Sequence, residues 1–110
     1  MLSILKDVNQ IKGVKGSSVV DPDGNEIVSH FLFPIAPERV KALVVSARRV
    51  ADEIADRAHA GTLVQVILEA SEGKFFVQAV ELGFLVVLAD SQANVGLIRV
   101  ELAQTGPLIN

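Results

Sequence analysis

Apolar residues recur along this chain with two periods, and the switches between them mark where helices give way to strands. Residues 2–12 set Leu5, Val8 and Ile11 three apart, and Ile4 and Val8 four apart, with Lys6, Asp7 and Gln10 on the other side. That spacing predicts a short amphipathic helix closed by Gly13. Two strand-like runs follow, Ser17-Ser18-Val19-Val20-Asp21 and Glu26-Ile27-Val28-Ser29-His30-Phe31-Leu32, with Pro22-Asp23-Gly24-Asn25 between them. Turn residues between two such runs predict a hairpin. Pro34 and Pro37 close it. Pro37 suits the first position of a helix, where no amide hydrogen is needed, and Glu38 suits its positive end. Ala36 brings no side-chain oxygen to cap that helix.

The longest predicted element is a helix over residues 37–59. A step of about 100° per residue gathers Val40, Leu43, Val44, Ala47, Val50, Ala51, Ile54 and Ala58 on one arc, which is expected to face inward. The opposite arc holds Ala42, Val45, Arg49, Asp52, Glu53 and Asp56, with Gly61 as the expected stop. Residues 63–70, 74–80 and 84–89 are three strand-like runs separated by Ser71-Glu72-Gly73 and Glu81-Leu82-Gly83, short enough for antiparallel hairpins. The run 84–89 is apolar without alternation, so it is expected at the centre of a sheet covered on both faces. A last helix contains Asn94-Val95-Gly96-Leu97-Ile98-Arg99-Val100-Glu101-Leu102. Glycine there costs about 1 kcal/mol of helix propensity against alanine. Close approach to another backbone would account for Gly96, with Leu97 and Val100 on one packed flank and Val95, Ile98 and Leu102 on the other.

This order, helix, two strands, long helix, three strands, helix, is that of an α+β sandwich in a single domain over residues 1–110. With 50% hydrophobic residues and no cysteine, the chain can bury a core without disulfides or Cys-based zinc. The start lacks the basic, long apolar pattern of a secretory signal, and no run approaches the ~18 to 20 apolar residues that span a bilayer. A soluble, cytoplasmic protein is expected. Ten basic against thirteen acidic residues give a net charge of −3. With no basic block or aromatic-rich basic strand, nucleic acid is not an expected partner.

Candidate chemistry is sparse. Gly13-Val14-Lys15-Gly16-Ser17-Ser18 has neither the glycine spacing nor the strand–loop–helix order of a phosphate-binding loop, and reads as a helix stop followed by strand entry. In Asp21-Pro22-Asp23-Gly24-Asn25 the glycine falls too early for a calcium loop, and Leu32 stands where the closing Glu should be; turn chemistry explains it. His30 and His59 have no metal-ligating or catalytic neighbours at close spacing. No nucleophile elbow surrounds Ser17-Ser18, and Glu69 and Glu72 stand three apart, a spacing that along a strand points to opposite sides. No catalytic residue, cofactor or metal is expected. The outer arc of the long helix remains. Arg48–Asp52 and Glu53–Arg57 are four-residue pairs worth only a few tenths of a kcal/mol. Val45 and Ala42 beside Arg49 form an apolar and basic surface suited to protein contact.

The chain resembles the Roadblock family, the dynein light chain Roadblock type. The resemblance is carried by Gly13, Gly16, Val19, Val20, Asp21, Asp23 and Gly24, then Leu68 and Glu69, then Asn94, Gly96, Leu97, Arg99 and Leu102. It implies a five-stranded antiparallel sheet in order 2-1-5-4-3, with the long helix on one face and the terminal helices on the other. It also implies a non-enzymatic homodimer that serves as regulator or platform for a Ras-like small GTPase. The gliding-motility type acts as a GTPase-activating protein; the alternative is a scaffold subunit of a motor or signalling complex. In that order the strand over 63–70 lies at an edge, too apolar to stay open. Leu63, Val64, Val66 and Leu68 are therefore the expected dimer interface, and Val45, Arg49, Asp52 and Asp56 the expected partner-binding residues.

Overall fold

In the computed structural model, which describes residues 1–109, the elements run α1 (Leu2–Asn9), β1 (Val14–Val20), β2 (Glu26–Phe31), α2 (Pro37–Arg57), β3 (Gln65–Ala70), β4 (Gly73–Val80), β5 (Gly83–Ala89) and α3 (Val95–Thr105), then a 3-10 turn over Gly106–Leu108. The strands form one antiparallel sheet in the expected order β2-β1-β5-β4-β3. Ala70 pairs with Gly73 and Val80 with Gly83, so Ser71-Glu72 and Glu81-Leu82 are tight hairpin turns. The second requires Gly83: its φ is +152°, and a Cβ there would collide with the Val20 carbonyl oxygen.

Strand alternation divides the interior into two cores. Leu5 and Val8 of α1 with Ile98 and Leu102 of α3 pack on Val19, Phe76, Leu85 and Val87. On the other face, Val40 and Val44 of α2 pack on Val20, Val77, Phe84 and Val86. The centrality expected of β5 follows, because its side chains enter both cores. Ser17 and Ser18 are buried and hydrogen-bonded. Ser17 Oγ donates to Asn9 Oδ1 at 2.9 Å and reaches the Leu5 carbonyl at 3.3 Å, pinning α1 to β1, and Ser18 Oγ donates to the Val28 carbonyl at 3.1 Å.

Four expectations need correction. The inward arc of α2 is buried only at Val40 and Val44; Leu43, Val50 and Ile54 are exposed, as is Ala58. Periodicity identified an apolar arc but not how much of it the sheet reaches. The stop of α2 is His59, not Gly61. His59 takes φ +52°, with its N–H on the Asp56 carbonyl at 3.1 Å and the Ala60 N–H on the Ala55 carbonyl at 2.8 Å, a Schellman closure with histidine where glycine is usual. Strand β3 begins at Gln65; Leu63 is half-buried against the α2 core just before it. Finally, α3 packs on one side only. Leu97 and Val100 are 60% and 57% exposed, and a Cβ on Gly96 would meet only the capping Asn94 Oδ1, at 3.2 Å. No neighbouring backbone explains Gly96.

A left-handed conformation costs an L-residue about 1–2 kcal/mol that glycine does not incur, partly offset by glycine's greater chain entropy. His59→Gly is therefore expected to stabilise the fold by roughly 0.5–1 kcal/mol, measured as a raised midpoint in denaturant; an unchanged or lowered midpoint would show that the His59 side chain contributes something that the backbone argument omits.

Candidate functional site

The β1–β2 turn is held from within and from α2. The Asp21 carboxylate accepts from the Asp23 and Asn25 amides, each at 2.9 Å, and from Asn25 Nδ2 at 3.2 Å. The Gly24 amide closes the turn on the Asp21 carbonyl at 2.9 Å. Donation from the Asn25 amide does most to hold the Asp21 carboxyl below its usual value of 3.8, with the Asn25 side chain, the Asp23 amide and the Lys41 charge adding to it against partial desolvation.

Two side chains of α2 reach the turn. Lys41 Nζ donates to Asn25 Oδ1 at 2.9 Å, and Arg48 Nη1 donates to the Pro22 carbonyl at 2.7 Å. Arg48 also lies over the Phe84 ring, 5.3 Å from its centroid, and pairs with Asp52 at 3.4 Å. Its guanidinium is thus fixed by a carbonyl, a ring and a carboxylate. Between the turn and the helix lies an open cleft of about 340 Å³, with Pro22 and Asp23 on one wall and Val45, Arg48, Arg49 and Asp52 on the other. The cleft joins the turn to the outer arc of α2.

Val45, Arg49 and Asp52 of the expected partner-binding set thus share one cleft, and all three are exposed. Asp56 is exposed one turn further along α2 and does not line it. Among the described residues Arg49 makes no ion pair. Sequence reasoning missed Arg48, whose role depends on Pro22 and Phe84, distant in the chain. Its only local signal was the four-residue spacing to Asp52.

The other flank of α2 is apolar. Leu43, Val50 and Ile54 face Val66, Leu68 and Phe75 across a trough of about 350 Å³. Of the expected interface residues, Val66 and Leu68 line this trough, and Leu63 is partly used by the chain's own core. Val64 is 69% exposed at the mouth of a groove on the α3 side. Phe75, missed from sequence, forms part of the trough floor. Among the described residues no group of three His, Cys, Asp or Glu side chains could hold a metal ion. No helix among them is long and apolar enough to cross a membrane.

Residues 2–89 match the Roadblock/LC7 domain family. Two uncharacterized proteins of Methanocaldococcus jannaschii are each 35% identical to this chain over 106 residues, covering 96% of it and 93% of themselves. A third from the same organism is 33% identical over 106 residues, covering 96% of this chain and 90% of itself. Among solved structures, a Roadblock/LC7 domain from Streptomyces avermitilis superposes with a TM-score of 0.87 at 20% identity, over 99% of this chain and 93% of that one. The gliding protein MglB of Thermus thermophilus gives 0.85 at 14% identity, over 96% and 82%. Myxococcus xanthus MglB gives 0.82 at 17%, over 94% and 86%. At these identities the structural likeness speaks for the fold.

Because the Asp21 carboxyl is held below its unfolded value, its contribution to stability is fully present above that value of 3.8 and is lost as pH falls through the lower folded value. Asp21→Asn should therefore lower the melting temperature at neutral pH, and the gap to the parent chain should narrow below about pH 4. A gap that is constant from neutral pH to strong acid would mean that the charge of Asp21 does not hold the turn.

Proposed function

Since the chain belongs to the Roadblock/LC7 domain family, we propose that it is a homodimeric regulator or docking platform for a Ras-like small GTPase. The observation that carries the docking half of this reading is the cleft that joins the Asp23 turn to Val45 and Arg49. An apolar anchor, a guanidinium outside any ion pair among the described residues and a rigid turn together offer a protein partner both burial and a charge to read. The trough beside β3 supports the homodimer: it exposes apolar side chains next to a sheet edge, and a second copy covers both at once. The gliding protein MglB of Thermus thermophilus and the MglB of Myxococcus xanthus share this fold.

Any acceleration of GTP hydrolysis would come from ordering the GTPase's own catalytic groups. Arg48 is engaged with Pro22, Asp52 and Phe84, so it is poorly placed to act as an arginine finger, and Arg49 acts as a contact.

Val45→Asp combined with Arg49→Glu removes the anchor and reverses the charge at two exposed positions. The variant should fold and dimerise like the parent, yet bind a nucleotide-loaded Ras-like GTPase at least about tenfold more weakly in titration. Undiminished affinity would place docking elsewhere, and failure of the parent chain to bind any such GTPase would favour a scaffold subunit.

Val66→Lys, which places a charge in the trough, should shift the chain from dimer to monomer in light scattering. An unchanged dimer would remove β3 from the interface.

A further inference from the structure

The two faces of β3 differ in kind. Val66 and Leu68 point into the trough, whereas Gln65, Ile67 and Glu69 point to the side of α1 and α3. There Gln65 Nε2 donates to Gln78 Oε1 at 3.0 Å, and Gln78 Nε2 donates to the Leu102 carbonyl at 2.9 Å. This chain of amides fixes Gln65 against α3, in a groove of about 520 Å³ that Arg99 also lines. Arg99 is exposed and makes no ion pair among the described residues. Glu69 is 60% exposed, with one carboxylate oxygen 3.6 Å from Lys74 Nζ, and that ammonium is already directed to the Ala93 carbonyl at 2.6 Å. One strand edge thus carries a cation near one end and a carboxylate near the other.

The backbone limits how a second copy can join. The Val64 carbonyl accepts from the Ala79 amide at 2.9 Å, so along β3 the even-numbered residues direct their backbone groups to β4. Gln65, Ile67 and Glu69 direct theirs outward. An antiparallel copy related by a twofold axis must pair outward group with outward group and like face with like face. Near the middle of the strand this leaves Val66, Ile67 or Leu68 on the axis, each opposite itself. With Val66 on the axis, Gln65 faces Ile67 of the other copy; with Leu68 there, Glu69 faces Ile67. With Ile67 on the axis, Val66 meets Leu68 inside the trough, and Gln65 meets Glu69 beside Arg99.

We propose, resting on the homodimer reading above, that β3 pairs with its copy with Ile67 on the twofold axis, and that an ion pair between Arg99 of each copy and Glu69 of the other fixes this register. Backbone pairing alone is nearly blind to sequence, and side chains set the register.

The chain has no cysteine, so single cysteines report cleanly on the register. Among Val66→Cys, Ile67→Cys and Leu68→Cys, the Ile67 variant should form the disulfide-linked dimer fastest under mild oxidation, because only there do the two Cα atoms fall within disulfide range. Arg99→Glu and Glu69→Arg should each weaken self-association by about tenfold or more, with melting curves confirming that both variants fold. Mixed in equal amounts, the two should form a heterodimer, since each then offers the opposite charge to the other, and native mass spectrometry would read it. Fastest cross-linking at Val66 or Leu68 overturns the register. Homodimers that persist alone, or a statistical mixture of species, overturn the ion pair. A parent chain that stays monomeric overturns the homodimer reading itself.

Discussion

The first turns of α2 lie on the sheet, but its later turns pass beside β3, the last strand, where the sheet offers no further cover. Val40 and Val44 are buried, while Val50 and Ile54 stand 48% and 62% exposed above Val66 and Leu68. Burying such a side chain completely from full exposure is worth about 1.5–3 kcal/mol, so covering the half that remains exposed still outweighs the fraction of a kcal/mol expected from an exposed ion pair such as Arg57–Glu53. The same edge leaves outward backbone groups on Gln65, Ile67 and Glu69. Apolar surface and unpaired backbone therefore coincide, and a second copy would satisfy both.

The buried stripe of α2 is narrow, and this leaves the helix two exposed flanks. The trough lies on one side of it and the cleft with the β1–β2 turn on the other. Arg48 and Lys41 tie the turn to the helix, so the cleft walls come from distant parts of the chain yet are fixed to one another. A partner bound in the cleft would leave the trough free for the second copy, which allows dimerisation and docking to coexist. On the opposite face of the sheet, the amide chain from Gln65 through Gln78 to α3 holds the groove beside Arg99 in place.

Much of this was legible from residue spacing. The two hairpins that join β3, β4 and β5, the turn at Asp21-Pro22-Asp23-Gly24-Asn25 and the central place of β5 follow from turn chemistry and an unbroken apolar run. The strand order came from family resemblance, because local patterns do not say which strands are neighbours. The errors have physical causes. His59 closes α2 because backbone hydrogen bonding outweighs the left-handed penalty that favoured Gly61. Gly96 was given a packing role that its open surroundings do not support. The inward arc of α2 was drawn too wide, since periodicity sees one helix and not where the sheet beneath it ends. In the cleft, Val45, Arg49 and Asp52 were legible as an exposed arc, but the clamp by Arg48 depends on a carbonyl and a ring that no local window contains.

Residue-resolved amide hydrogen exchange on β3, followed across protein concentration, tests most directly whether a second copy covers this edge. The amides of Val66 and Leu68 should be protected at every concentration, because they bond to β4. Those of Gln65, Ile67 and Glu69 should gain protection only as the chain becomes concentrated enough to associate. Fast exchange at all three outward positions under conditions where the chain is a dimer would contradict it, and would mean that the copies meet through some other surface.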